Sequence, residues 1–425
     1  MIGARGATIG ARFFAAGTMQ SDRRHLGTSE AVSIARALRD FGDGFAAVLL
    51  PFYLSALGLD AAQIGLAATL ALLGSALFTL AVGWLGTRIG DRMTLIIASL
   101  LMISTGIAFA ASSQYAVILL VSLFGTLNPS SGNASIFVPA EHAMLTRGVS
   151  SADRTKAFAR YGLIGAMAAA VGSLLAGAPD FIAGGSIDRL TALRMMFLLY
   201  AALGVAIALV YLRVAPPGPA ERADKARMLG PSRKIVFKLM ALFSIDSFAG
   251  GLIVQSLLAL YLFERFGMSL TSAGIFFFWS GVLSAFSQPV AAWLARRIGL
   301  VNTMVYTHIP SSVLLIIGAL SPRLDVALAC LLVRSFLSQM DVPARSSYVM
   351  AVVTPPERAA AASLTALPRS LAAAAGPALA GLLIATGNLA WPLILGGVLK
   401  IVYDLLLLWT FRDVKPPEEM AKAGA

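Results

Sequence analysis

Long apolar runs separated by short polar clusters dominate the chain from about residue 36 to residue 411. Each run is about twenty residues or longer, the length that an α-helix needs to cross a ~30 Å hydrocarbon layer. Alanine, leucine and glycine fill the runs without period-2 alternation, which favours helices over a transmembrane β-barrel. The pattern predicts twelve helical spans, at 36–58, 62–86, 93–112, 115–141, 156–178, 193–214, 234–263, 270–295, 301–319, 324–348, 359–386 and 389–411.

Composition supports an all-α integral membrane protein. Hydrophobic residues make up 58% of the 425 residues and charged residues 13%, with a mean hydropathy of +0.81. A soluble protein carries roughly 25% charged residues, so much of the usual solvated surface is missing. The lipid bilayer is therefore the expected surroundings, and we expect a multi-pass protein of the inner (plasma) membrane.

The net charge of +12 is explained by topology. Most Lys and Arg residues fall in the tails and loops on one side of the predicted spans. The positive-inside rule then places both termini and the central linker in the cytoplasm. We expect no nucleic-acid partner.

Several sequence landmarks occur twice, about two hundred residues apart. The segment GWLGTRIGDRMTL at 83–95 returns as AWLARRIGLVNTM at 292–304, and FGDGFAAVL at 41–49 returns as SIDSFAGGL at 244–252. VPAEHAMLTRGVSSADR at 138–154 matches VPARSSYVMAVVTPPER at 342–358. The matches predict two six-helix bundles, at 34–214 and 234–412, with a cytoplasmic linker at 215–233 and tails at 1–33, expected to be disordered, and 413–425. Repeated bundles are typical of transporters that alternate access around a midplane site.

The chain resembles the major facilitator superfamily over about 36–412. Gly83, Leu85, Arg88, Gly90 and Arg92 match the family's loop signature between spans two and three. Thr87 replaces the usual acidic residue and Asp91 a basic one, so the family's latch at this loop is not expected here. The resemblance, strongest to bacterial efflux-type permeases, implies that spans 1, 4, 7 and 10 line a central cavity and that the protein works as a monomer.

The sequence favours a secondary transporter over an enzyme. It has three histidines, no clustered metal ligands, no phosphate-binding glycine loop and no nucleophile elbow. We expect no cofactor and no metal. The leading prediction is alternating-access export of a small organic or drug-like solute, coupled to protons. The alternatives are a uniporter or exchanger for an organic anion and, remotely, a receptor or scaffold without transport.

Ionisable and polar residues inside the predicted spans are the candidate solute and ion sites, because a charge at the bilayer centre costs about 2.5–3.5 kcal/mol on insertion scales. A coupling proton is assigned to Asp43 or Asp246, and an organic anion to the guanidinium groups of Arg334 and Arg369. The structural alternative is that these acids and bases neutralise one another. The polar residues of span 4 complete the set: Asn128, Ser130 and Asn133.

A second group of charges is predicted to form a gate. Glu141 and Arg345 follow the duplicated Val-Pro-Ala, and we expect them to meet when the cytoplasmic side shuts, or to pair with Arg358 and Asp153. Asp341 and the two signature arginines, Arg88 and Arg297, complete the predicted gating set. Lys400 and Asp404 in span 12 are expected to form an intrahelical ion pair without function.

Overall fold

Sixteen α-helices make up nearly all of the described chain. The computed structural model describes residues 27–130, 135–148, 154–184, 186–214 and 230–414, which contain one isolated β-bridge (Gly184 to Ile187) and no strand. The helices are α1 Thr28–Ala56, α2 Ala61–Ile89, α3 Asp91–Ala111, α4 Tyr115–Phe124, α5 Phe137–Gly148, α6 Arg154–Leu175, α7 Ala178–Ile182, α8 Arg189–Leu212, α9 Arg233–Gly251, α10 Gln255–Phe266, α11 Leu270–Ile298, α12 Leu300–Leu320, α13 Leu324–Ser338, α14 Asp341–Val352, α15 Arg358–Ala385 and α16 Trp391–Phe411.

Ten segments of this described chain are long and apolar enough to cross a membrane. The other two predicted spans correspond to α1, which is rich in charged residues, and to the pair α4 and α5. Predicted spans 4, 7 and 10 each consist of two helices rather than one. Spans 4 and 10 resume at the duplicated Val-Pro-Ala, with Pro139 in the first turn of α5 and Pro343 in the first turn of α14. A proline suits the first turn of a helix because its missing N–H has no partner there anyway.

The repeated Trp-Leu segments form the same turn in both halves. Gly90 ends α2 and precedes α3 with φ of 81°, and Gly299 joins α11 to α12 with φ of 87°. A left-handed backbone at these positions favours glycine. The glycine at the end of each repeated segment is thus a structural requirement of the tight reversal.

Helix packing is also repeated. In the first half α1 packs against α6 and α8, and α3 packs against α8; in the second half α9 packs against α15 and α16, and α12 packs against α16. α2 with α4 and α11 with α13 form a further equivalent pair. The two halves meet where α2 packs on α15 and α6 on α11.

The described contacts between the halves lie at the end of the molecule opposite the N- and C-termini of the chain. Gly65 of α2 faces Gly381 of α15, where a Cβ on either residue would overlap the other's backbone. The backbone N–H of Ala378 donates to Thr69 Oγ1 at 2.8 Å, and the backbone N–H of Thr271 donates to Asp180 at 2.9 Å. Small residues thus let the two halves approach closely at this end.

Two predicted boundaries change. α1 begins at Thr28, so residues 28–33, expected in a disordered tail, are helical. The predicted linker, 215–233, ends one residue earlier, because α9 begins at Arg233. Residues 215–229 of this linker, and residues 415–425, lie outside the described chain.

Candidate functional site

Each half buries a cluster of ionisable side chains. The N-cluster lies on α1, α5, α6 and α8 and consists of Arg36, Arg39, Asp40, Asp43, Glu141, Tyr161, Tyr200 and Tyr211. The C-cluster lies on α9, α12, α14 and α16 and consists of Asp246, His308, Asp341, Arg345, Lys400, Tyr403 and Asp404. Charges in such surroundings persist only when paired or hydrogen-bonded.

Glu141 lies at the centre of the N-cluster and is 0% exposed. Arg39 Nη1 lies 2.8 Å from its Oε1, and the hydroxyl of Tyr211 donates to the same oxygen at 2.7 Å. The hydroxyl of Tyr161 donates to Oε2. A guanidinium and two phenols therefore stabilise this carboxylate from three helices.

A second ion pair lies beside it on α1. Arg36 Nε is 2.7 Å from Asp40 Oδ2, one helical turn away, and Arg39 Nε is 3.3 Å from Asp40 Oδ1. The guanidinium of Arg36 also lies over the ring of Tyr161, 4.6 Å from its centroid. Both arginines of α1 thus have carboxylate partners.

Asp43 differs from its neighbours because no ion pair joins it to a cation in the part of the chain that the structure describes. It is 3% exposed, and the hydroxyl of Tyr200 donates to its Oδ1 at 3.1 Å. Tyr200 in turn lies 3.2 Å from Thr126 Oγ1. Asp43 is therefore a buried carboxyl held by a neutral hydrogen-bond donor.

Asp246, in the repeat position of Asp43, has the opposite surroundings. Arg345 Nη1 lies 2.8 Å from Oδ2 and Lys400 Nζ lies 2.6 Å from Oδ1, with His308 Nε2 3.8 Å from that oxygen. Arg345 also contacts Asp341, 3.3 Å away and one turn earlier on α14. Asp246 thus joins α9 to α12, α14 and α16.

The C-cluster continues through His308 to Asp404. Lys400 Nζ lies 3.4 Å from His308 Nε2, and His308 Nδ1 lies 3.0 Å from Asp404 Oδ1. The prediction that Lys400 pairs with Asp404 along the helix is wrong in this conformation. Helix packing brings Asp246 of α9 and His308 of α12 against α16, and these side chains become the partners instead.

Glu141 and Arg345 do not meet in this conformation. Their pairing was predicted for a shut cytoplasmic side, whereas the described contacts between the halves lie at the opposite end, so it stays a prediction. Each is buried in its own half, Glu141 with Arg39 and Arg345 with Asp246 and Asp341. Arg358 donates from Nε to the backbone carbonyl of Met350, and Asp153 lies outside the described residues. The physical reason is that both side chains point into a helix bundle, where intramolecular partners replace water.

Arg334 and Arg369 have no carboxylate partner among the ion pairs of the described residues. Arg334 Nε on α13 is buried and makes no hydrogen bond to the described chain. Arg369 on α15 is partly exposed and donates from Nε to Ser247 Oγ at 3.2 Å. Asp43 and Asp246 therefore do not neutralise these arginines, contrary to the structural alternative.

Span 4 supplies its polar residues at the break between α4 and α5. Asn128 is buried, and its Oδ1 accepts from the backbone N–H of Ser130 at 3.0 Å and from the Ser130 hydroxyl at 2.8 Å. The intervening carbonyl of Pro129 accepts from the N–H of Ser256, at the start of α10, at 3.0 Å. Asn133 lies outside the described residues. The breaks of spans 4 and 7 thus meet across the two halves.

Arg88 and Arg297 lie exposed at the ends of α2 and α11, away from both clusters. Arg297 lies over the ring of Trp293 at 4.3 Å from its centroid. The structure therefore brings Asp341, Arg345 and Asp246 together and leaves Arg88 and Arg297 apart.

Sequence reasoning missed the side chains that complete the clusters. Arg36, Arg39 and Asp40 stand at the start of predicted span 1, where charges are usually solvated, and His308 stands alone in predicted span 9. For the residues of α1, helical spacing was the available signal: positions 36, 39, 40 and 43 share one face of the helix. In the described residues no group of three His, Cys, Asp or Glu side chains is placed to hold a metal ion.

Comparisons with known proteins agree with this architecture. The family model of the Major Facilitator Superfamily matches residues 32–309 and 239–425. The chain belongs to the Major Facilitator Superfamily. Its fold is therefore that of a membrane transporter family rather than of an enzyme.

One curated relative and two solved structures are similar along most of the chain. A membrane protein of Saccharomyces cerevisiae, YJR124C, described as uncharacterized, is 24% identical and covers 89% of this chain and 92% of its own length. A bacterial homolog of the human lysosomal transporter Spinster, solved inward-facing and unoccupied, is 16% identical with a TM-score of 0.65, covering 90% and 94%. The nucleoside transporter NupG is 15% identical with a TM-score of 0.70, covering 91% and 99%. At these identities the two structures establish the fold.

Proposed function

We propose that this superfamily member exports a small organic or drug-like solute by alternating access, coupled to protons through Asp43. The observation that carries the proposal is the environment of Asp43, a buried carboxyl bonded to Tyr200 and joined by no ion pair among the described residues. Proton binding removes the cost of burying this charge. Asp246 is a weaker candidate because Arg345 and Lys400 already balance its charge.

The contacts between the halves support the alternating-access part. They include Thr69 with Ala378, Pro129 with Ser256, and the rings of Phe52 and Phe263, whose centroids are 4.6 Å apart. Thr69, Ala378, Phe52 and Phe263 belong to helix parts on the side opposite the chain termini, and Pro129 lies in the break between α4 and α5. With the termini in the cytoplasm, as the positive-inside rule favours, this arrangement is closed to the outside, and transport requires these contacts to break.

The experiment is a transport screen in proteoliposomes with an imposed pH gradient. Benzoate, uridine and tetraphenylphosphonium serve as anionic, neutral and cationic probes, and an internal pH dye reports proton movement. We expect accumulation of one probe to be driven by an opposing proton gradient and to be lost in Asp43→Asn, while exchange without a gradient continues. Accumulation that survives in Asp43→Asn excludes Asp43 as the proton carrier, and Asp325→Asn serves as an exposed control.

A second candidate function is exchange of an organic anion. Arg334 and Arg369 favour it because neither has a carboxylate partner in the described part of the chain, and a guanidinium group in that situation suits a solute carboxylate or phosphate. Arg369→Lys and Arg334→Lys should then weaken benzoate exchange about tenfold or more, since one ammonium does not reproduce a bidentate fork. Exposed Arg297→Lys is the matched control. Unchanged benzoate exchange in both the Arg334 and the Arg369 variant contradicts this candidate.

A further inference from the structure

The C-cluster holds more acidic groups than permanently charged basic ones. Asp246, Asp341 and Asp404 face Arg345 and Lys400, and all are buried. Arg369 of α15 is partly exposed and donates to a serine hydroxyl, with no carboxylate partner among the described ion pairs. With all three carboxylates ionised and His308 neutral, the buried set has one negative charge in excess. One bound proton restores neutrality, and burial makes that outcome favourable.

Hydrogen-bond directions indicate which group holds that proton. Lys400 is a donor only, so at 3.4 Å it requires His308 Nε2 to accept. A neutral imidazole whose Nε2 accepts carries its proton on Nδ1, and that N–H donates to Asp404 Oδ1 at 3.0 Å. A protonated His308 would bring its Nε2–H against the Lys400 ammonium at 3.4 Å, which lies closer to Nε2 than the Asp246 carboxylate oxygen at 3.8 Å. The proton therefore does not reside on His308 as a second ring proton.

Asp404 is left as its holder. The residue is 0% exposed, and its Oδ2 makes no hydrogen bond within the described chain. Its only described hydrogen-bond partner is the neutral His308, whereas Asp246 and Asp341 both contact cations directly. We propose that Asp404 is a second proton-binding site, neutral in this conformation, whose protonation state selects the partner of Lys400.

The choice of partner for Lys400 follows from helix geometry. Lys400 and Asp404 are one turn apart on α16, the spacing of an intrahelical ion pair. While Asp404 is protonated, Lys400 binds Asp246 of α9 at 2.6 Å. When the Asp404 carboxyl releases its proton to water, the resulting carboxylate competes for Lys400 along the helix and Asp246 loses one of its two cations. The link between α9 and α16 thus depends on this proton.

The ionisable groups that face the pair come from four helices, and Arg369 is the cation left out of the charge count above, because its partly exposed side chain is screened by solvent. On α9 the group is Asp246, on α14 Asp341 and Arg345, on α15 Arg369, and on α16 Lys400 and Tyr403, whose ring centroid lies 6.1 Å from that of His308. The proton site itself does not depend on the proposed function. Only its participation in transport rests on that proposal.

Infrared spectroscopy of the full-length protein in lipid nanodiscs at neutral pH tests the site directly. Protonated carboxyl groups absorb apart from carboxylates, so each buried acid that holds a proton contributes its own band. We expect Asp404→Asn to remove one such band and Asp325→Asn, at an exposed acid of the same half, to leave the spectrum unchanged. Asp43→Asn should remove a different band.

The outcomes separate the two proposals. A spectrum unchanged by Asp404→Asn overturns the second proton site, whatever Asp43→Asn does. Loss of the Asp404 band with no effect of Asp43→Asn retains this site and counts against Asp43 as the coupling residue. If Asp404→Asn does not fold, His308→Gln decides: it should shift the frequency of the same band because it changes the hydrogen bond to Oδ1, and an unshifted band overturns the proposal.

Discussion

Each half has a buried ion pair between the same two equivalent helices, but the helix that carries the acid in one half carries the base in the other. In the first half the base lies on α1 and the acid on α5, as Arg39 and Glu141; in the second the acid lies on α9 and the base on α14, as Asp246 and Arg345. Glu141 and Arg345 are the equivalent residues of the duplicated Val-Pro-Ala segment. We therefore expect the fold to set which helices carry the pair, and the two signs to be exchangeable when both partners change.

The exchange has a consequence for the repeated aspartates. Because Arg39 pairs with Glu141 and Asp40, the described chain leaves Asp43 with Tyr200 as its hydrogen-bond partner. Asp246 instead receives both cations of the C-cluster. Tyr403 stands 203 residues after Tyr200, as Asp246 does after Asp43, yet its hydroxyl has no hydrogen-bond partner in the described chain. One aspartate is thus hydrogen-bonded by a neutral hydroxyl and the other is held by ion pairs, the difference on which the proposed proton role of Asp43 rests.

Reversing one charge of the N-cluster should have the largest effect. Glu141→Arg places two guanidinium groups together in a buried site and should destabilise the fold by about 3–5 kcal/mol or prevent folding. Adding Arg39→Glu puts the acid on α1 and the base on α5, as on α9 and α14 of the second half, and should recover most of the lost unfolding free energy. Thermal unfolding followed by size-exclusion chromatography measures both.

The exposed pair Arg323 and Asp325 is the control for this reversal. Exchanging its two charges should leave the melting temperature almost unchanged, because solvent screens an exposed pair. A double variant of the N-cluster that is as unstable as Glu141→Arg alone contradicts the view that polarity is exchangeable.

The two repeated aspartates should respond differently to the same substitution. Asp246→Asn leaves Arg345 and Lys400 without their shared carboxylate and should cost about 3 kcal/mol. Asp43→Asn imitates a protonated carboxyl and should change stability by less than about 1 kcal/mol. The comparison uses melting temperatures of the purified proteins at neutral pH. Equal decreases in melting temperature in the two variants contradict the view that Asp43 is a proton site and Asp246 an ion-pair site.

The two repeated tyrosines provide a smaller test. Tyr200→Phe removes the hydroxyl that donates to Asp43 and should cost about 1–1.5 kcal/mol. Tyr403→Phe removes a hydroxyl without a partner in the described chain and should be neutral or slightly stabilising. Differential scanning fluorimetry of the two variants against wild type measures this difference. A larger loss of stability in Tyr403→Phe than in Tyr200→Phe contradicts the view that only the Tyr200 hydroxyl makes a stabilising hydrogen bond.

The smallest effect is expected at the entry to α9. Hydrogen bonds from Ser232, together with the backbone N–H of Gly230, hold the pKa of Glu357 below its usual range. A depressed pKa means that the unfolded state binds more protons, so this contribution is present above the unfolded value and is lost as the pH falls through the folded one. Glu357→Gln should therefore narrow the difference in melting temperature between neutral and acidic buffer.

The control for Glu357→Gln is Asp413→Asn, at an exposed acid of the same half. Asp188→Asn does not serve, because the Asp188 carboxylate caps α8 by accepting the N–H of Thr191. Identical acid dependence in wild type and Glu357→Gln contradicts a role for this carboxylate in stabilising the second half.

The sequence by itself determined the helical spans, the duplication and the positions of the turns. Apolar length and the absence of alternation specify membrane helices whatever their neighbours, and Gly90, Gly299 and the repeated Val-Pro-Ala act through local backbone geometry. These features depend on residues that are close in the chain. They were predictable for that reason.

Only the tertiary structure decided which charges meet. Lys400 lies one turn from Asp404, and the spacing predicts a pair, but the rotation of α16 against α9 and α12 brings Asp246 and His308 within reach. Arg39 similarly finds Glu141 because α1 packs on α5. Partner choice in a buried cluster depends on desolvation and on the distances between helices that are remote in sequence, and neither quantity is written in the local spacing of the chain.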